Sequence, residues 1–126
     1  MDLPSHSVLV VDDDAAIRFL CRVNLELDGW AVHEAGTLEK ARQTFAANPI
    51  DVVVLDVHVG ADSGIDFIAE VRELNPGVPV VLLTGSVGSR ELEGVDVDAV
   101  ISKPFTLDQL TGTVGRLVAR GGAEAG

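Results

Sequence analysis

The stretch Val8-Leu9-Val10-Val11-Asp12-Asp13-Asp14 decides how the whole chain is read. Four apolar, mostly β-branched residues without polar alternation describe a strand buried on both faces, and such strands belong to parallel sheets covered by helices. Similar runs recur at residues 51–55, 78–83 and 99–101, with a weaker one at 31–34 that fits nearer a sheet edge. Helical spacing fills the gaps. Ile17, Leu20, Cys21 and Leu25 follow Asp14, a candidate N-cap, and stop at Gly29. Leu38, Ala41 and Phe45 follow Thr37 and stop at Asn48-Pro49, while Phe67, Ile68, Val71 and Leu74 stop at Asn75-Pro76-Gly77. A short fourth helix must fit at residues 89–94. The last helix begins at Thr106, spaced from Gln109 as in a capping box, and continues through Leu110, Val114, Leu117 and Val118, with Gly112 and Gly115 weakening it.

Strands alternating with helices imply right-handed crossovers and an α/β fold, a parallel sheet with helices on both faces. Ligands of such sheets bind beyond the carboxyl ends of the strands, where strand order reverses. The chain has 126 residues, enough for one domain with its own core. Residues 1–120 are expected to form it and residues 121–126 a flexible tail. No apolar run reaches the roughly eighteen residues of a bilayer span, and no basic leader precedes one, so a soluble cytoplasmic protein without membrane contact is expected. Cys21 is the single cysteine, which excludes an internal disulfide and a thiol metal cluster. A formal net charge of −11 argues against direct nucleic-acid binding and favours cations and basic protein surfaces.

The strand ends carry the chemistry. In order they are Asp12-Asp13-Asp14, Asp56, Thr84 and Lys103. Taken alone each is ordinary, since an acid or a threonine closing a strand commonly caps a helix and a lone lysine is commonly a solvated charge. Folded together they bring three carboxylates close, and like charges at that range raise one another's pKa unless a cation neutralises them. A hard divalent ion with oxygen ligands, Mg²⁺ above all, answers that need. An aspartate beside it is a competent nucleophile towards phosphorus, with Lys103 and the Thr84 hydroxyl left to hold the phosphoryl oxygens.

With these residues in this order, the chain over residues 7–119 resembles the response-regulator receiver family of two-component signalling, the chemotaxis regulator among them. The resemblance implies a flavodoxin-like (βα)5 three-layer sandwich with strand order 2-1-3-4-5. It implies that Asp13 ligates the metal (Mg²⁺ or Mn²⁺) directly, that Asp12 does so through water, that Asp56 in Val53-Val54-Leu55-Asp56 is the phosphoacceptor and metal ligand, and that the His58 carbonyl also binds the metal. Thr84 in Val81-Leu82-Leu83-Thr84-Gly85 matches the switch hydroxyl, with Gly85 leaving room for the phosphoryl group. Lys103-Pro104-Phe105 matches the family signature and implies a cis bond before Pro104. His58 and Ser86 stand where the family tunes the access of water to the aspartyl phosphate.

Three departures stand out. The family's proline four residues after the acceptor is Gly60, followed by Asp62-Ser63-Gly64, so a looser loop after strand three is expected. Residues 85–102 between Thr84 and Lys103 are about one helical turn short of the family length, which shortens the fourth helix. Val100 replaces the inward-turning aromatic three residues before the lysine, on the surface the family uses for output, so a threonine-coupled aromatic swing cannot operate.

The expected function is therefore that of a phosphorylation switch. A sensor histidine kinase or histidine phosphotransfer protein supplies the phosphoryl group, an unknown downstream protein reads it, and the chain is a monomer or weak homodimer. It acts on no separate substrate and catalyses only its own modification and slow self-hydrolysis. A receiver-like adaptor that binds its partner without phosphate is the alternative, disfavoured by retention of Asp12, Asp13, Asp56, Thr84 and Lys103. An aspartate-nucleophile phosphatase of the haloacid dehalogenase type ranks last, because His58 stands where that class carries its acid. His6 and His33 share no ligand spacing, and Trp30 is expected to pack at the start of strand two. The glycine-rich pieces fit neither a P-loop nor a dinucleotide fingerprint.

Overall fold

The computed structural model describes residues 6–85 and 94–125, with side chains up to Val118. In chain order the elements are β1 (Ser7–Val11), α1 (Ala15–Leu27), β2 (Ala31–Ala35), α2 (Leu38–Ala47), β3 (Val52–Asp56), β4 (His58–Val59), β5 (Asp62–Ser63), α3 (Gly64–Leu74), β6 (Val80–Thr84), β7 (Ala99–Ser102) and α4 (Leu107–Ala125). The five long strands form one parallel sheet in the order β2-β1-β3-β6-β7. This is the expected 2-1-3-4-5 order once the small hairpin β4–β5 is set aside, and β2 lies at an edge as its weaker pattern implied.

Period-two alternation divides each central strand between two cores. Leu9, Val11, Val53, Leu55, Val80 and Leu82 face one side, where α2 and α3 cover them with Leu38, Phe45, Phe67 and Val71. Phe45 and Phe67 meet edge to face at 6.2 Å, a geometry that aromatic quadrupoles favour. Val8, Val10, Val52, Val54, Val81 and Leu83 face the other side, covered by Cys21, Leu25, Leu110, Val114 and Leu117 of α1 and α4. Trp30 is buried in this second core, and Cys21 is a buried thiol pushed up to about 11 by burial and by the charge of Asp12. That shift leaves it protonated and inert at neutral pH.

The caps follow the residue types. The Asp14 carboxylate accepts from Ala16 and Ile17, and the Thr37 hydroxyl accepts from Lys40. Thr106 and Gln109 exchange the two bonds of a capping box, at 2.8 and 3.1 Å. At α3 the cap is Ser63, whose hydroxyl accepts from Ile65. Gly112 and Gly115 do not interrupt α4, because burial of Leu110, Val114 and Leu117 outweighs a backbone cost of about 1 kcal/mol per glycine. The described helix runs to Ala125.

The loop after β3 departs from expectation. It is closed by an antiparallel pair, His58 opposite Ser63 and Val59 opposite Asp62, and is not loose. Val59 is buried, which anchors the pair to the core under α3. The short helix expected at residues 89–94 falls, up to residue 93, outside the described residues, as does the position of Ser86. Among the described residues, no helix is long and apolar enough to cross a membrane.

Candidate functional site

The acidic residues collect at the carboxyl edge because parallel strands in this register end together. Val11 lies opposite Leu55, Asp56 opposite Leu83, and Thr84 opposite Ser102. The chain leaves β1 through Asp12 and Asp13 just where β3 ends in Asp56. One carboxylate oxygen from each of the three lies within 4.8 Å of the others. Asp12 is fully buried, Asp56 is largely buried, and Asp13 is exposed at the rim.

Lys103 closes the cluster. Its Nζ donates to Asp56 Oδ2 at 2.8 Å and to Asp12 Oδ2 at 3.3 Å, and its main-chain N–H donates to the Thr84 carbonyl at 2.7 Å. The Lys103-Pro104 bond is cis, as the resemblance implied. Burial alone favours the neutral amine, but the hydrogen bond to Asp56 and the charges of Asp12 and Asp56 outweigh it and hold the ammonium above its ordinary range. Asp12 is raised chiefly by burial and further by the Asp56 charge, against the lowering effects of the Asp14 N–H and of Lys103. Three acids share a single ammonium here, so the site carries uncompensated negative charge.

Thr84 ends β6 as a buried residue on the same edge. Beside it Gly85 is exposed, and a Cβ added there would meet nothing within 4 Å. The His58 N–H donates to Asp56 Oδ1 at 3.2 Å, and the Gly60 N–H to Asp13 Oδ2 at 3.1 Å. Val100, by contrast, lies on β7 opposite Leu82, two pairs short of the strand end, and is 46% exposed. The site therefore unites Asp12, Asp13, Asp56, Thr84 and Lys103, whereas Val100 belongs to the surface of the sheet edge.

Two supporting residues escaped the strand-end pattern. Arg18, one turn into α1, donates from Nη1 to the Asp12 carbonyl at 2.7 Å and pairs with Glu34 of β2 at 3.4 Å, pinning the β1–α1 loop from behind. Its spacing is that of any surface arginine on a helix, so no sequence signal marks it. Gly64 opens α3 directly against Asp56, and its N–H donates to the Val57 carbonyl at 2.6 Å. A Cβ there would run into the Asp56 carbonyl oxygen, far inside van der Waals contact, and would press on the Leu55 side chain. The glycine in Asp62-Ser63-Gly64 was the available signal. Gly64→Ala is expected to displace Asp56 and to cost about 1–3 kcal/mol of stability, measured by denaturant unfolding. Unchanged stability together with an unchanged His58 amide resonance would contradict that account.

An open parallel α/β sheet with three carboxylates and an ammonium converging at its carboxyl edge places the chain among doubly wound proteins with an acid-lined site suited to a hard cation. The sequence matches the model of the response regulator receiver domain over residues 8–115, and the chain belongs to that family. It is 36% identical over 107 residues to the KDP operon transcriptional regulatory protein KdpE of Escherichia coli, covering 82% of this chain and 47% of that protein. The chain spans between 13% and about half of the length of the curated relatives it matches. Among solved structures, a CheY-like receiver domain protein from Methanospirillum hungatei superposes with a TM-score of 0.89 at 22% identity, covering 98% of this chain and 99% of that one. The response regulator TrrA from Thermotoga maritima, solved in complex with Mg(2+)-BeF, superposes with a TM-score of 0.80 at 29% identity, covering 89% and 98%. The chain is accordingly a receiver domain of the two-component response-regulator type.

Proposed function

We propose that this receiver domain takes a phosphoryl group on Asp56 from the phosphohistidine of a sensor histidine kinase or histidine phosphotransfer protein, in the cytoplasm, and thereby changes its contacts with a downstream protein. The observation that carries the reading is the Lys103 ammonium bridging Asp56 and Asp12 beside a third acid. A mere salt bridge needs one carboxylate per lysine. Three acids around one cation, one of them wholly buried, suit a site built to hold additional positive charge.

The donors fit a hard divalent cation. They are all oxygens, two from the end of β1 and one from the end of β3, close enough together to share one ion, with Asp13 at the exposed rim. Asp12, Asp13, Asp56 and the His58 carbonyl would hold Mg²⁺ or Mn²⁺, and the ion when bound supplies the positive charge that offsets both the acids and the phosphoryl oxygens.

Asp56 offers the nucleophilic oxygen. Attack on phosphorus forms an acyl phosphate as the bond from phosphorus to the donor nitrogen breaks, and the donor imidazole leaves with that electron pair. Lys103 stays protonated and neutralises a phosphoryl oxygen, while the Thr84 hydroxyl donates to another. No other substrate is turned over, and water at the acyl phosphate returns the domain to its starting state. The acyl phosphate carries about two negative charges where the Asp56 carboxylate carried one, and that gain at a pocket already short of cations redistributes the bonds of Lys103 and Thr84, with the β6–β7 side of the domain carrying the signal. Val100, without an aromatic ring, leaves that readout to the backbone and to Thr84.

The direct test is incubation with acetyl phosphate and Mg²⁺. An acid-stable, hydroxylamine-labile phosphoryl group equal to about one per chain is expected, and absence of any label would remove the reading. His58 borders the acceptor through its own N–H, and so His58→Ala is expected to change the lifetime of the aspartyl phosphate severalfold while labelling still occurs. An identical decay rate would deny His58 that role.

A further inference from the structure

The hairpin after β3 carries a bond that connects it to the far side of the site. Gly60 sits at φ +64, in the left-handed region, and its N–H donates to Asp13 Oδ2 at 3.1 Å across a sequence separation of 47 residues. Two residues earlier the His58 N–H takes Asp56 Oδ1. One short segment thus offers two main-chain donors to two carboxylates that come from different strands.

The identity of residue 60 matters for the backbone alone. A Cβ added there would meet nothing within 4 Å, so space does not select glycine. The positive φ does, because a proline is locked near −65° and has no N–H to give, and other residues adopt such a φ only under strain. Asp13 is exposed, so packing does not hold its carboxylate as burial holds that of Asp12. A hydrogen bond to one oxygen is what orients the group, in the way that outer partners of metal ligands fix the ligand and tune affinity.

We propose that Gly60 is a positioning residue for the divalent cation: its N–H holds one oxygen of Asp13 so that the other is presented to the ion, and the β4–β5 hairpin is thereby tied to the occupancy of the site. This inference rests on the cation-site reading above. It adds a determinant that lies outside the strand ends.

The experiment is a calorimetric titration of Mg²⁺ into the full chain, for the wild type, Gly60→Pro and Gly60→Ala. Gly60→Pro is expected to weaken Mg²⁺ about tenfold, and Gly60→Ala, which keeps the N–H, by no more than about threefold. In the metal-free wild type the Gly60 amide is expected to exchange with deuterium about tenfold more slowly than in Asp13→Ala, while amides of β1 and β3 are equally protected in both. Wild-type affinity in Gly60→Pro would overturn the inference while leaving the cation site standing. Equal losses in Gly60→Pro and Gly60→Ala would overturn it too, since conformation and not the donor would then matter. A wild type that binds no Mg²⁺ would take the cation reading with it. Should Gly60→Pro fail to fold, the exchange rates decide, and a Gly60 amide indifferent to Asp13→Ala overturns the proposal.

Discussion

Asp56→Asn protein incubated with acetyl phosphate and Mg²⁺ is expected to incorporate less than about 1% of the wild-type label, because an amide lacks the anionic oxygen that attacks phosphorus. The substitution is nearly isosteric. The Asn carbonyl oxygen can still accept from Lys103, or from the His58 N–H, so the pocket keeps its shape while losing its nucleophile. The loss should come without unfolding. Asp56 is one of the charges that raise Asp12, so its neutralisation relieves a repulsion and brings Asp12 back towards its ordinary range. Asp56→Asn should therefore be at least as resistant to denaturant as the wild type in the absence of metal, and lower stability would argue that the acid is structural. Undiminished labelling would exclude Asp56 as the acceptor.

Lys103→Met is the second large effect. Methionine spans a similar length without charge, so it removes the 2.8 and 3.3 Å bonds to Asp56 and Asp12 while leaving the chain packed around the stem. Two buried carboxylates lose their partner, a change worth about 1–3 kcal/mol in metal-free protein at neutral pH. The labelling rate should fall on the order of 10²-fold, as when one preorganised donor to a developing oxyanion is lost. The pH dependence separates charge from shape. The Lys103 pKa is raised in the folded state above the ordinary 10.5, so its stabilisation is fully present below 10.5 and is lost as pH rises through the higher folded value. Wild-type unfolding free energy should decline along that alkaline limb, and Lys103→Met should lack this component. Asp12, also raised, has the same sign at a lower window: its protonated form is favoured by folding, and that contribution is present below 3.8 and disappears as pH rises through the folded value. With its ammonium partner gone, Asp12 should titrate higher still. A Lys103→Met protein labelled within about threefold of the wild-type rate, with an unaltered alkaline limb, would place the lysine outside the chemistry.

The fold was legible wherever a local rule sufficed. An apolar run of four or five residues ends at a carboxylate in β1 and β3, and the stripes of α1 to α3 repeat at helical spacing behind Asp14, Thr37 and the hairpin. The same locality explains the errors. Gly112 and Gly115 read as weak points because propensity sees only the helix, whereas the helix is held by a second core shared with β1, β3 and β6. The loop after β3 read as loose because proline was missing, although Gly60 supplies what proline cannot, a donor at positive φ.

The residue types of the site and the strand ends they occupy were determined by sequence alone, since apolar patterning positions each chemistry-bearing side chain within its own strand and the parallel connection brings those ends to one edge. Only the tertiary structure decided how they are held. The grip of Arg18 on the Asp12 carbonyl, the close approach of Gly64 to Asp56 and the bond from Gly60 to Asp13 join segments remote in sequence. Those contacts depend on the angle at which one closed loop meets another, a quantity that no periodicity within either segment encodes.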